Sequence, residues 1–280
     1  MIINSDWHIH SEYSFDASNT LSEIAESALS QGLCRVGIAD HANYNDNKFL
    51  SDIKRSAEAV KAANEKYPHL VLGVEFTPIA KPEYDYAVLH NGSRDGYVPP
   101  EEGTPYPIEL ALTKEEMLSL GIRYAVGASH WRVDSPRAHV YQKDISVCAR
   151  EWYRQQLFMA TDERVTILGH PWYHPEHIWY EDFSVIPHSM HMDIGHALKE
   201  NGKYIECNKG FFTDYVTTEK FRHQYADFLR EMFEMGIKVT FGSDFHADFH
   251  DVRDLVEPYL KASGFKEGDI CEVAEEDLWQ

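Results

Sequence analysis

Histidines, aspartates and glutamates recur along the chain in short phrases: Asp6-Trp-His8-Ile-His10, Asp40-His41, Gly73-Val-Glu75, Ser129-His130, Gly169-His170-Pro171, Glu206-Cys-Asn208 and Ser243-Asp244-Phe-His246. Imidazole and carboxylate together suit Zn, Mn and Fe ions, and a mixed set can bridge neighbouring ions. Any one phrase is weak, because a buried histidine satisfied by a backbone carbonyl is the ordinary alternative. Their shared placement is the stronger signal, for each phrase closes a short apolar, β-branched run.

Those runs read as strands at Met1–His8, Arg35–Ala39, Leu70–Glu75, Tyr124–Ala128, Val165–Gly169, Tyr204–Asn208 and Lys238–Gly242. Between them lie helical patterns. Thr20-Leu-Ser-Glu23 is a capping box opening a helix that should end at Gly32. Ser51–Lys66, Ser146–Ala160, Met190–Asn201 and Thr218–Met235 carry apolar residues at helical spacing. Strand alternating with helix predicts an α/β fold with a parallel sheet, since parallel strands need long crossovers. In a parallel barrel the strand C-termini share one face, which is where such folds keep their chemistry. Residues two apart on a strand point the same way, so His8 and His10 can reach one site, as can Asp244 and His246. Thr77–Gly121 interrupts the rhythm, with a middle, Asn91–Pro107, dense in Gly, Pro and acidic residues. It is expected to be an insertion that could serve as a lid. No linker or composition shift divides the chain, so one domain over 1–280 is expected.

Composition narrows the function. Asp and Glu number 46 against 26 Lys and Arg, a formal net charge of −20. That excludes the basic surface on which non-specific binding to long nucleic acid relies. It permits a small phosphorylated substrate, because bound cations reverse the local field. Cys34, Cys148, Cys207 and Cys271 are scattered, with no CxxC pair, and suggest neither a zinc knuckle nor a disulfide scaffold. The N-terminal residues lack a basic, then apolar, leader pattern, and no run approaches a membrane span. A cytoplasmic protein with no membrane partner is the expectation.

The phrases HIHSEYSFDA, ADH, GVE, GASHW, GHP and GSDFH, in that order across residues 6–247, resemble the PHP (polymerase and histidinol phosphatase) superfamily. That resemblance implies a distorted (β/α)7 TIM-like barrel with its active site at the strand C-termini and two or three divalent ions, Zn, Mn or Fe. It implies ligands at His8, His10, Asp16, His41, Glu75, His130, His170, Asp244 and His246, Asp16 standing where the family has His or Asp. Chain size and the phrase YAVGASHW are similar to the histidinol-phosphate phosphatases, which implies hydrolysis of a small phosphate monoester such as L-histidinol phosphate. The length of Thr77–Gly121 departs from that pattern, and substrate choice usually resides in such loops.

The expected chemistry is attack on phosphorus by a metal-activated hydroxide. Asp244 is the candidate to orient the nucleophile or carry its proton, and His246 or His10 to protonate the leaving group. Arg132, Arg137, Lys209 and His174 are candidates for binding the substrate, the arginines because their forked donors match phosphate. Asp40 and Asn208 are expected to orient ligands by hydrogen bonding. Trp131, Trp172 and Tyr173 flank the ligand loops. His139, His177, His188, His191, His196, His223 and His250 lack strand-end placement and read as surface or packing residues. Three alternatives stand beside this reading. One is a phosphatase or phosphodiesterase of the same fold acting on nucleotides or short oligonucleotides. A metal-dependent amidohydrolase commonly needs a strand-four lysine where this chain has Ser129-His130. The third is a non-catalytic metal-binding module.

Overall fold

The computed structural model describes residues 2–43, 49–98, 104, 106–133 and 144–280. In chain order these form β1 Ser5–Ile9, α1 Leu21–Gln31, β2 Arg35–Ile38, α2 Phe49–Ala63, β3 Leu70–Phe76, β4 Ile79–Ala80, α3 Lys81–Leu89, β5 Ile108–Glu109, α4 Lys114–Leu120 and β6 Tyr124–Gly127. There follow α5 Ile145–Thr161, β7 Ile167–Leu168, α6 His188–Glu200, β8 Tyr204–Asn208, α7 Gly210–Thr213, α8 Glu219–Glu234, β9 Lys238–Gly242 and α9 Arg253–Ala262. Seven strands make one sheet in the order β1-β2-β3-β6-β7-β8-β9, every neighbour pair parallel. A parallel bridge between Ile9 and Phe245 brings the two edges together, so the sheet is a nearly closed barrel.

The alternation of side chains explains both its cores and its site. On β3, Leu70, Leu72, Val74 and Phe76 pack outward into the layer shared with the helices, while Val71 packs inside the barrel. Period-two geometry then sends Gly73 and Glu75 inward as well. On β8, Ile205 and Cys207 face the helices and Tyr204 faces the interior, which leaves Glu206 and Asn208 inward. The lower interior is filled by Trp7, Ala39, Val71, Tyr124, Val126, Ile167 and Tyr204, together with Val273 and Leu278 from the C-terminal tail. Tyr124 donates to the Trp7 carbonyl at 2.9 Å. Its ring fits because residues 37 and 73 are glycines: a Cβ at Gly37 would lie 2.0 Å from Tyr124 Oη.

The strands expected from the sequence are all present, with ends shifted by a few residues. The capping box at Thr20 and the left-handed Gly32 bound α1 as expected. The described part of Thr77–Gly121 is more ordered than its composition implies. It holds an antiparallel pair, Ile79 with Glu109 and Ala80 with Ile108, flanked by α3 and α4. A second capping box, Thr113 with Glu116, starts α4. Arg164 pairs with Glu109 at 2.8 Å and Arg154 donates to the Tyr106 carbonyl at 2.7 Å, tying the segment to α5 and the turn after it. Among the described residues no helix is long and apolar enough to cross a membrane.

Candidate metal centre

The inward residues at the upper strand ends converge. His8, His10 and Glu75 form one group, Glu75, His130 and His170 a second, and His10, His41 and His246 a third, with the donor atoms of each group within 4.8 Å of one another. Asp16 joins the third group, its Oδ1 3.4 Å from His41 Nε2 and its Oδ2 3.7 Å from His246 Nε2. Asp244 Oδ1 lies 3.1 Å from His10 Nε2 and 3.6 Å from His8 Nε2. The structure therefore brings together all the positions that the sequence offers as ligands. Glu75 is their hub. Its Oε1 lies 3.1 Å from His170 Nε2, 3.5 Å from His130 Nε2 and 3.6 Å from His8 Nε2. Its Oε2 lies 2.6 Å from His41 Nδ1 and 3.7 Å from His10 Nε2.

The donor set fits metal ions. Glu75 Oε2 is buried with no well-aligned hydrogen bond, its nearest partner being His41 Nδ1 at 2.6 Å. His10 Nε2 and His8 Nε2 face each other at 3.2 Å, and His246 Nε2 and His41 Nε2 at 3.5 Å. Two imidazole nitrogens aimed at one point share either a proton or a cation. Burial alone would raise the Glu75 pKa, but His130, His41 and His8 outweigh it and hold the carboxyl well below its usual range. Burial likewise opposes ionisation of Asp244, and His8 and His10 reverse it, lowering that pKa too. Burial would lower the His41 pKa, yet Glu75 and Asp16 push it up to about 10. His130, where burial dominates and His170 and His41 add repulsion, falls to about 3. Such opposed shifts in one cluster mark a site built for charge.

A layer of hydrogen bonds aims the ligands. Asp40 accepts from Ser11 N, Ser11 Oγ, Ser14 Oγ and Ser56 Oγ. With its proton given to Asp40, Ser14 Oγ accepts from His41 N and from His10 Nδ1, each at 3.1 Å. That assigns the His10 proton to Nδ1 and leaves Nε2 facing the cluster. Thr77 Oγ1 lies 2.9 Å from His130 Nδ1. Glu206 takes His8 Nδ1 at 2.7 Å and is braced by Asn208 Nδ2 at 3.1 Å. Sequence reasoning gives Asp40 and Asn208 this role but passes over Ser14 and Thr77, and it names Glu206 in a strand-end phrase without assigning it one. For Glu206 a signal exists, since it sits two residues before Asn208 on the same inward face.

Above the cluster is a cavity of about 280 Å³ lined by Phe15, Asp16, His41, Asn43, Thr77, His130, Trp131, His170, Tyr173, Asp244 and His246. Of the described residues in the insertion, only Thr77 reaches it. Among the described residues no lysine or arginine lines it. Arg132, next in the chain to the cavity-lining Trp131, is buried, and Arg137 falls outside the described residues. Lys209 Nζ lies 3.7 Å from the centre of the Phe245 ring, its pKa lowered by burial against the pull of Asp244 and Asp6. His174 is fully buried and does not line the cavity; its ring packs 4.6 Å from Trp152 and 4.9 Å from Trp179, centre to centre. Trp172 is also buried in the core, whereas Trp131 and Tyr173 form cavity walls.

A barrel with a multi-histidine, multi-carboxylate cluster at its strand C-termini defines a class of metal-dependent hydrolases. The PHP domain family matches residues 6–210, and the chain belongs to that family. Solved structures with the same fold include the histidinol phosphate phosphatase of Lactococcus lactis subsp. lactis Il1403, complexed with Zn, L-histidinol and phosphate. It is 17% identical, with a TM-score of 0.65, covering 94% of this chain and 95% of that one. YwqE from Bacillus subtilis and CpsB from Streptococcus pneumoniae, metal-dependent tyrosine phosphatases, match at 14% identity and a TM-score of 0.44, covering 92% of this chain and 85% of theirs. No curated protein sequence matches the chain. Family membership and the cluster together support a metal-dependent phosphoesterase.

Proposed function

We propose that this protein hydrolyses a small phosphate monoester, with L-histidinol phosphate the first candidate, using two or three divalent ions, Zn, Mn or Fe. The observation that carries the reading is Glu75, a buried residue whose two oxygens serve adjacent ligand groups that include the cavity-lining His41, His130 and His170. His8, His10, Glu75 and Asp244 would hold one ion, Glu75, His130 and His170 a second, and Asp16, His41 and His246 a third. Bound there, such ions lower the pKa of water and offset charge on the phosphate. The choice of ester follows the Lactococcus protein, which holds L-histidinol and phosphate.

The chain's own residues do the remaining work. Asp244 lines the cavity and contacts His10, so it can both ligate and receive a proton from the attacking water. His246 lines the cavity while His10 lies fully buried beneath, so of these two imidazoles His246 is the one placed to reach a leaving oxygen. Trp131, Tyr173 and Phe15 offer flat walls to the organic part of the ester. Among the described residues the cluster itself is what a phosphate in the cavity would meet, and Lys209 is linked electrostatically to Asp244.

The test is metal analysis beside turnover of histidinol phosphate, nucleoside monophosphates and an aryl phosphate, with Zn, Mn and Fe supplied separately. Metal-dependent release of phosphate, fastest with histidinol phosphate, is expected. A full complement of ions with no turnover of any ester would refute hydrolysis and favour a non-catalytic metal-binding module. Preference for a nucleoside monophosphate would keep the chemistry and replace the substrate.

A further inference from the structure

Glu206 lies outside the cavity lining and outside all three donor groups, yet it touches two of them. One oxygen contacts His8 Nδ1 at 2.7 Å, and the other accepts from the backbone N of His170 at 2.5 Å and from Asn208 Nδ2 at 3.1 Å. The side chain is almost completely buried. A carboxylate in such a place is costly unless each oxygen is paired. Room for it is specified by a neighbouring strand, since a Cβ at Gly242 would lie 1.8 Å from Glu206 Oε1.

The two contacts have different consequences. A carboxylate accepts only, so His8 must carry its proton on Nδ1, which turns the Nε2 lone pair toward Glu75 and Asp244. The second contact acts on the backbone. His170 has φ of 21°, outside the ordinary range for an L residue. The bond from its N–H to Glu206 holds the turn that aims His170 Nε2 at Glu75 Oε1, 3.1 Å away.

We infer that Glu206 is a positioning residue that couples two ion positions, the one built on His8, His10 and Glu75 and the one built on Glu75, His130 and His170. It sets the tautomer of a ligand in the first and the backbone turn of a ligand in the second. The group of Asp16, His41 and His246 has no contact with it among the described residues and stands apart. This rests on the metal-dependent reading of the site.

Glu206→Gln keeps the shape and breaks the logic. Its amide retains one acceptor oxygen and presents an NH2 with the other atom, so either the His8 Nδ1–H or the His170 N–H faces a donor. His8 can respond by moving its proton to Nε2, which removes the lone pair needed for ligation. Zn²⁺ titration against a competing chelator should show affinity at two positions falling about ten- to a hundredfold together, with the third unchanged. In the Zn²⁺-loaded protein, histidine 15N NMR should place the His8 proton on Nδ1 in the wild type and show a changed tautomer balance or an altered His170 amide in Glu206→Gln. A purely structural role would not move that signature. Asn208→Ala removes only a brace and should give a smaller loss at the same two positions, which keeps the test intact if Glu206→Gln does not fold. Unchanged affinities, a loss confined to one position, or a His8 proton on Nε2 in the wild type would each overturn the inference. Bound ions without turnover would sink the hydrolase reading and leave this one standing. A wild type that binds no ion would sink both.

Discussion

Glu75→Gln removes the hub charge while keeping its shape, and its cost in the metal-free protein can be worked from the site. Glu75 Oε2 sits 2.6 Å from His41 Nδ1, with both groups buried or nearly so. Removing one partner of a buried ion pair costs about 3–5 kcal/mol. The titration of His41 gives the same scale. With its pKa pushed up to about 10 by Glu75 and Asp16 against burial, its proton is held at neutral pH by about 4 kcal/mol. The pH window follows from the two shifts. His41 is raised, so its contribution is complete below its unfolded value of 6.5 and is lost as pH climbs through about 10. Glu75 is depressed, so its contribution is present above its unfolded value of 4.5 and is lost only as pH falls toward its lowered folded value. The gap between wild type and Glu75→Gln should therefore be largest near pH 5–7 and close above about pH 10. Urea unfolding of chelator-treated protein across that range measures it, and metal analysis of untreated protein should show at least two positions depleted. A variant as stable as wild type at pH 6, carrying every ion, would refute the assignment of Glu75 as the hub.

Three other outcomes are expected. Asp244 has φ of 55°, a conformation that Asn tolerates, so Asp244→Asn should fold normally while kcat falls about 10²- to 10⁴-fold; near-normal turnover would remove Asp244 from proton handling. Because an ion must displace the His41 proton, affinity at the Asp16–His41–His246 position should rise about tenfold per pH unit between pH 7 and 9, read by calorimetry at several pH values; a flat profile would contradict a charged His41. Gly37→Ala drives a Cβ to 2.0 Å from Tyr124 Oη and threatens its bond to the Trp7 carbonyl. It should cost about 2–4 kcal/mol in denaturant unfolding with metal content intact, and an unchanged midpoint would argue against the tight packing of the barrel floor.

Much of this protein is legible in one dimension. Residue chemistry and period-two spacing are local properties, so HxH on β1 and DxH after β9 announce themselves without a fold. The same holds for the Thr20 capping box and for the alternation of strand and helix that dictates a parallel sheet. The tertiary structure alone decided which of those residues meet, and how. Glu75 became the hub because the register of β3 between β2 and β6 sets its depth in the barrel. Glu206 acquired its role because β8, β9 and β1 close around it and because residue 242 has no side chain. His174 resembles a loop histidine in sequence, but Trp152 of α5 and Trp179 of its own loop pack against it in the core. The left-handed turns at His170 and Asp244 are likewise invisible in residue type. Spacing along a strand is set by covalent geometry, whereas a partner across strands is set by register, closure and packing between residues far apart in the chain.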